Sequence, residues 1–193
     1  MKVILIDNFD SFSYNLVDLL KKEYHEVKVL RNSVSLAALA NIIGDNEKDY
    51  LLVLSPGPGT PKKAGNLLNI IKHYQGNIPM MGICLGHQAI IECAGGRIIK
   101  GDEVVHGKSS VLKLSQHKVF EGLGRSMIIG RYHSLQGSSL PKEVNVLAEL
   151  EQIPMVIELE EKKMIGIQFH PESIMTPMGN KLLNNVIRYL GSL

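Results

Sequence analysis

Pro79-Met80-Met81-Gly82-Ile83-Cys84-Leu85-Gly86-His87-Gln88-Ala89-Ile90-Ile91-Glu92-Cys93-Ala94 decides the fold. Residues 79–83 are apolar throughout, as in a strand covered on both faces of a sheet. Residues 85–94 read as a helix, closed by Gly95-Gly96. Between the two, Gly82-Ile83-Cys84-Leu85-Gly86 is a nucleophile elbow with sulfur in place of the usual hydroxyl. Its glycines clear side chains from a tight strand-to-helix turn, so residue 84 projects from the top of the sheet. At a helix start, exposed N–H groups and the positive end of the helix dipole favour the thiolate, which is the reactive form. A bare Gly-x-Cys-x-Gly is as readily a turn around a small buried thiol. The strand–turn–helix setting is what favours chemistry.

Working outward, the first half of the chain repeats this β-α pattern. Lys2–Asp7 is a strand ending in the turn signal Asp7-Asn8. Residues 11–24 place Phe12, Leu16, Leu19 and Leu20 at helical spacing. Val27 and Val29 alternate in a second strand over 26–30. Ser35 caps a helix carrying Leu36, Leu39, Ile42 and Ile43, which Gly44 ends. Tyr50–Leu54 is a continuous apolar strand and Leu67–Tyr74 a helix. From residue 97 to 168 the runs 111–114, 127–132, 145–150, 155–159 and 164–168 are strand-like, and residues 181–190 form a closing helix. The reading is an α/β fold: a mainly parallel central sheet with helices on both faces and an added antiparallel strand region. A single domain over residues 1–193 is expected, since no linker or internal repeat interrupts it.

Composition narrows the classes. Hydrophobic content of 45% and charged content of 21% argue against long disorder. A net charge of +2 without Lys/Arg clusters gives no basis for a nucleic-acid partner. The opening apolar run stops at Asp7, too short for a signal peptide, and no membrane span is present, so a cytoplasmic protein is expected. Cys84 and Cys93 on one helix would lie roughly 13 Å apart, whereas a disulfide needs less than about 7 Å. Free thiols and no metal site or cofactor are expected, because no His-x-x-x-His or similar ligand spacing occurs. His25, His73 and His117 read as surface residues, and His87 as a structural hydrogen-bonding group.

Two further motifs complete a site. In Phe169-His170-Pro171-Glu172, residues two apart in an extended segment point the same way, so Glu172 can orient His170 as the base for Cys84. In Ser55-Pro56-Gly57-Pro58-Gly59-Thr60-Pro61 the prolines lack N–H groups, leaving Gly57 and Gly59 as fixed donors at the loop's centre. Gly57, together with the N–H of Leu85, suits an oxyanion hole. A phosphate loop is excluded because no Gly-Lys-Ser/Thr follows.

Leu54-Ser55-Pro56-Gly57-Pro58-Gly59, Gly82-Ile83-Cys84-Leu85-Gly86-His87-Gln88 and Gln168-Phe169-His170-Pro171-Glu172-Ser173 together resemble the class I (triad) glutamine amidotransferases, in order and spacing, across essentially the whole chain. Asp7-Asn8-Phe9-Asp10-Ser11-Phe12, His106-Gly107-Lys108 and Arg131-Tyr132-His133-Ser134-Leu135 resemble the branch that serves chorismate-using synthases. Glu103-Val104-Val105-His106-Gly107-Lys108 and Glu172-Ser173-Ile174-Met175-Thr176 lean towards anthranilate rather than aminodeoxychorismate synthesis. The resemblance implies hydrolysis of glutamine to glutamate through a Cys84 thioester, with ammonia delivered to a chorismate-binding large subunit. By the same resemblance Gly57, Pro58, Gly59, Gln88, Ser134 and Leu135 hold glutamine, and the Asp10-Ser11 region faces the partner. The amidase pattern occupies the whole chain, so the ammonia acceptor is expected on a separate subunit. The competing readings are a standalone γ-glutamyl hydrolase and a binding subunit with a relic site.

Overall fold

The computed structural model describes residues 1–24, 26–101 and 107–193. His25 and the stretch Glu103-Val104-Val105-His106 lie outside the described residues. In chain order the elements are β1 (Lys2–Asp7), α1 (Ser13–Glu23), β2 (Val27–Arg31), α2 (Leu36–Ile43), β3 (Tyr50–Leu54), α3 (Leu67–Tyr74), β4 (Met80–Ile83) and α4 (Leu85–Cys93). There follow β5 (Arg97–Lys100), β6 (Lys108–Lys113), β7 (Ser126–Arg131), β8 (Leu135–Ser138), β9 (Asn145–Leu150), β10 (Ile153–Leu159), β11 (Met164–Ile167) and α5 (Gly179–Leu190). Seven strands form the central sheet in the order β2-β1-β3-β4-β11-β10-β9. Pairing is parallel from β2 to β11 and antiparallel from β11 through β10 to β9. The added strands are therefore of two kinds: β9 and β10 extend the sheet, while β5–β8 and β6–β7 form separate antiparallel pairs.

Alternation along β1 divides the core. Val3 and Leu5 face Leu16 and Leu20 of α1 and Val186 and Ile187 of α5, whereas Ile4 and Ile6 face Leu39 of α2 and Ile70 of α3. Helices thus cover both faces, and the inner strands β3, β4 and β11 are buried almost throughout. As an edge strand β2 differs: Val29 is 44% exposed, so the alternating valines mark a strand without marking a buried face. Ser35 and Gly44 bound α2 as the sequence implies, Ser35 Oγ accepting from Ala38 N–H at 3.2 Å. Helix α1 begins two residues late because the Asp10 carboxylate takes the Phe12 N–H at 2.8 Å and holds a turn there. The ladder β5–β8 carries no apolar pattern in its Leu-Gln-Gly-Ser strand and is invisible to periodicity. His117 is half-buried rather than freely exposed: its ring caps the Val119 N–H at 3.3 Å, meets Tyr189 edge-on and faces the buried Glu158 carboxylate at 3.6 Å. Among the described residues no helix is long and apolar enough to cross a membrane.

What matters for chemistry is the carboxyl edge of the parallel strands. Asp7-Asn8 after β1, Ser55–Gly57 after β3, Cys84 after β4 and Gln168–His170 after β11 all emerge there, the edge at which open α/β sheets place their sites.

Candidate active site

Cys84 occupies the turn between β4 and α4 with φ +50° and ψ −98°, a conformation that L-residues rarely adopt. The surroundings hold it there: its N–H donates to Ile167 O at 2.8 Å, and its carbonyl accepts from Gln88 N–H at 3.0 Å as α4 begins. The flanking glycines are demanded by contact rather than by dihedral freedom. A Cβ on Gly82 would lie 2.5 Å from the Gly86 carbonyl carbon, and one on Gly86 would strike Leu54 O and lie 2.8 Å from Leu54 Cβ. The turn thus folds back on its own strand and on the end of β3. The cysteines are both free, as the spacing implies.

His170 follows β11, and its backbone is clamped by Gly130 O (3.2 Å from its N–H) and by Thr176 Oγ1, which donates to its carbonyl at 2.8 Å. The Nδ1–H donates to Glu172 Oε1 at 2.6 Å, with the histidine 2% and the glutamate 7% exposed. Cys84 lies near enough for its side chain to bear on the ring's affinity for its proton. Burial pulls the imidazole towards neutrality, but hydrogen bonds to Cys84 and Glu172 and their negative charges outweigh it and push its pKa up to about 10. Neighbouring histidines behave oppositely. Burial drives His87 down to about 3, and His133 down to about 4, with Arg131 and His170 adding repulsion at His133. At neutral pH the charge in this cluster therefore sits on His170. His87 is fully buried, as a structural role requires, yet neither ring nitrogen makes a hydrogen bond of ordinary geometry among the described residues. It lies instead against the backbones of Gly166 and Pro154.

The Pro/Gly loop stands directly beside this group. A Cβ on Gly57 would lie 2.6 Å from Leu85 Cδ2 and 2.5 Å from Asn8 Cβ, so glycine alone fits. The Gly57 N–H donates to no acceptor among the described residues, and the Leu85 N–H opens α4, where helix geometry leaves donors free. Gln88 (3% exposed) donates from Nε2 to Leu135 O at 3.1 Å, joining those two positions. Pro58, Gly59 and Ser134 stand exposed on the flanking loops; no side-chain contact joins them to the cluster among the described residues.

Periodicity passes over three supports. Asn8 donates from its backbone to Ser55 Oγ and from Nδ2 to Ser55 O, both at 2.8 Å, while its Oδ1 accepts from Asn32 Nδ2 at 3.1 Å. This network braces the loop bearing Gly57. Phe12 packs tilted and Tyr132 edge-on against the His170 ring, at centroid distances of 5.0 and 5.3 Å, and they limit where the imidazole can turn. Gln168, fully buried, reaches the Cys84 sulfur. A groove at the opposite edge of the sheet, lined by Met1, Asp49, Pro79 and Lys163 among others, holds none of these groups.

A family model for glutamine amidotransferase class-I matches residues 4–189. Anthranilate synthase component 2 of Helicobacter pylori (strain ATCC 700392 / 26695) is 49% identical over 193 residues, covering all of both chains. The protein of the same name from Vibrio parahaemolyticus is 42% identical over 187 residues, covering 97% of this chain and 95% of its own. Among solved structures, a putative GMP synthase protein from Thermoplasma acidophilum superposes with a TM-score of 0.85 at 21% identity, covering 100% of this chain and 94% of that one. A glutamine amidotransferase from Thermotoga maritima gives 0.78 at 15% identity, covering 100% and 99%. At these identities the two structures speak for the fold alone.

Proposed function

This chain belongs to the class-I glutamine amidotransferases, and from that membership we propose that it is the glutamine-hydrolysing subunit of an anthranilate synthase, with Cys84 as its nucleophile. The reading is carried by the convergence of Cys84, after β4, with His170 and Glu172, after β11, at the carboxyl edge of the sheet, where His170 Nδ1 is bonded to Glu172 Oε1 at 2.6 Å. Full-length relatives named anthranilate synthase component 2 favour anthranilate over aminodeoxychorismate as the product served.

The reaction runs as acyl transfer. The Cys84 thiolate attacks the side-chain amide carbon of glutamine, and the oxygen takes up charge towards the N–H groups of Gly57 and Leu85. Protonated His170 donates from Nε2 to the departing nitrogen, releasing ammonia and leaving a γ-glutamyl thioester. Neutral His170 then takes a proton from water, which attacks the thioester; glutamate leaves and the thiolate is restored. Glu172 keeps Nδ1 protonated throughout, so Nε2 alone exchanges the proton. Gln88 and Leu135 border the amide-binding side, with Gly57, Pro58, Gly59 and Ser134 completing the glutamine contacts.

Ammonia is useful only if a second subunit receives it. Mixing the chain with the large subunit of a chorismate-using synthase is expected to raise glutaminase turnover at least about tenfold and to yield anthranilate from glutamine. Equal glutaminase rates with and without that subunit would overturn the coupling.

The His170 proton sets a pH window. An unfolded histidine titrates near pH 6.5, whereas here it holds its proton to about pH 10. Its stabilising contribution is complete below the lower value, declines across the window and is gone above the upper one. Wild-type stability relative to His170→Gln should therefore fall between those limits, as read by urea unfolding at stepped pH. The ring-proton NMR titration of His170 should move to lower pH in Cys84→Ala, because the thiolate is a principal cause of the upward shift. An unmoved titration would mean that sulfur and ring do not interact.

A further inference from the structure

Gln168 has no part in the mechanism above, yet it is fully buried against the reacting atoms. Its N–H is fixed to Met155 O at 2.8 Å at the end of β11. Its Nε2 lies 3.8 Å from Cys84 Sγ in hydrogen-bonding geometry. Its Oε1 accepts from Gln88 Nε2 at 3.3 Å, and that same nitrogen donates to Leu135 O at 3.1 Å. A carboxamide has one donor end and one acceptor end. Because Gln88 presents a donor to Gln168, the acceptor end of Gln168 must face Gln88 and its donor end must face sulfur.

We propose that Gln168 is a further catalytic residue of this site, a neutral donor to the Cys84 sulfur held in that orientation by Gln88. The inference rests on the reading of Cys84 as nucleophile. A thiolate accepts an N–H bond far better than a thiol does, so the donor favours the reactive form. No water competes, since neither amide is exposed to solvent beyond 3%. A neutral amide also suits the task better than a cation would. It cannot give up its proton to the leaving ammonia, a step left to His170, and it does not depress the sulfur's nucleophilicity as a full positive charge beside it would. When the carbon–sulfur bond forms, the sulfur loses its charge and the bond to Gln168 weakens. Gln168 therefore acts on the resting thiolate rather than on the tetrahedral intermediate, whose charge lies at the oxyanion donors.

The test replaces Gln168 with Met, which keeps length and volume and removes the donor. Cys84 alkylation by iodoacetamide, followed against pH, is expected to run about tenfold slower at each point of the acid limb, with the alkaline plateau retained. In the complex, glutaminase kcat should fall by a similar factor at acid pH with KM unchanged, because Gln168 has no solvent-facing surface for glutamine to touch. A folded Q168M variant whose alkylation profile overlays the wild type would overturn the proposal. If Q168M does not fold, the wild-type chain decides. The Gln168 side-chain 15NH2 signals should shift along the Cys84 titration and stay fixed in C84A, and no movement in the wild type is equally fatal. C84A retaining glutamine-dependent synthesis would remove the nucleophile itself. Inactive C84A beside an unchanged Q168M profile would remove only the role of Gln168.

Discussion

Replacing Cys84 with Ala is expected to lower glutamine-dependent anthranilate synthesis by at least about four orders of magnitude, while ammonia-dependent synthesis in the same complex survives. The first half follows from the chemistry: without sulfur no thioester forms, and His170, Glu172 and the Gly57 and Leu85 donors have nothing to activate. The second half follows from the separation of tasks, since free ammonia enters downstream of the amidase step. Loss of fold is an unattractive alternative explanation. The thiol is small, and Ala keeps the backbone bonds that hold residue 84, from its N–H to Ile167 and from its carbonyl to Gln88. Cys84→Gly sharpens the point. At φ +50° a side chain is strained by about 1–3 kcal/mol, so the glycine variant should match or exceed the alanine variant in stability while being just as inactive. Glutamine use that persists in either variant would mean another nucleophile. A parallel loss of ammonia-dependent synthesis would mean that residue 84 supports the assembly rather than the chemistry.

The second large effect is expected at Gly86, which touches no substrate. Its backbone has no positive φ, so alanine suffers no dihedral penalty there. The cost is wholly steric: the new methyl would be driven into Leu54 O and Leu54 Cβ, on a fully buried strand end with no room to yield. Overpacking against backbone of this kind should cost roughly 3 kcal/mol or more, measured as a lower urea midpoint at unchanged slope. Glutaminase should vanish with it, because any relief moves α4 away from β3 and separates Leu85 from Gly57. Gly59→Ala is the contrast. That glycine has φ +77° and open space about it, so alanine should cost only about 1 kcal/mol, through the backbone. Equal losses at the two positions would show that Gly86 is not tightly packed against β3.

Much of the site was legible along the chain because its parts are local. The elbow needs two glycines around a nucleophile, and Gly82 and Gly86 stand there. His170 and Glu172 meet because they are two residues apart. The loop stiffened by Pro56 and Pro58 brings Gly57 close to Leu85, where a Cβ at 57 would meet the Leu85 side chain. Other positions differ from their sequence reading for equally physical reasons. His117 has the company of a surface histidine in sequence, between Gln116 and Lys118, but β10 and α5 bring Glu158 and Tyr189 against it. Val29 alternates like a buried strand residue, but β2 lies at the sheet edge.

The sequence by itself determined the α/β class and the bounds of most elements, and it singled out the candidate thiol, imidazole and carboxylate, because hydrophobic period, glycine placement and short spacing act within one or two turns of chain. Tertiary structure alone decided what surrounds that trio: Asn8 and Ser55 bracing the Gly57 loop, Phe12 and Tyr132 flanking His170, and Gln168 facing sulfur. The bond from Asn8 to Ser55 spans 47 positions and that from Gln168 to Cys84 spans 84, and a hydrogen bond across such a distance leaves no mark on the local pattern of either partner. Only the order of strands in the sheet brings them together.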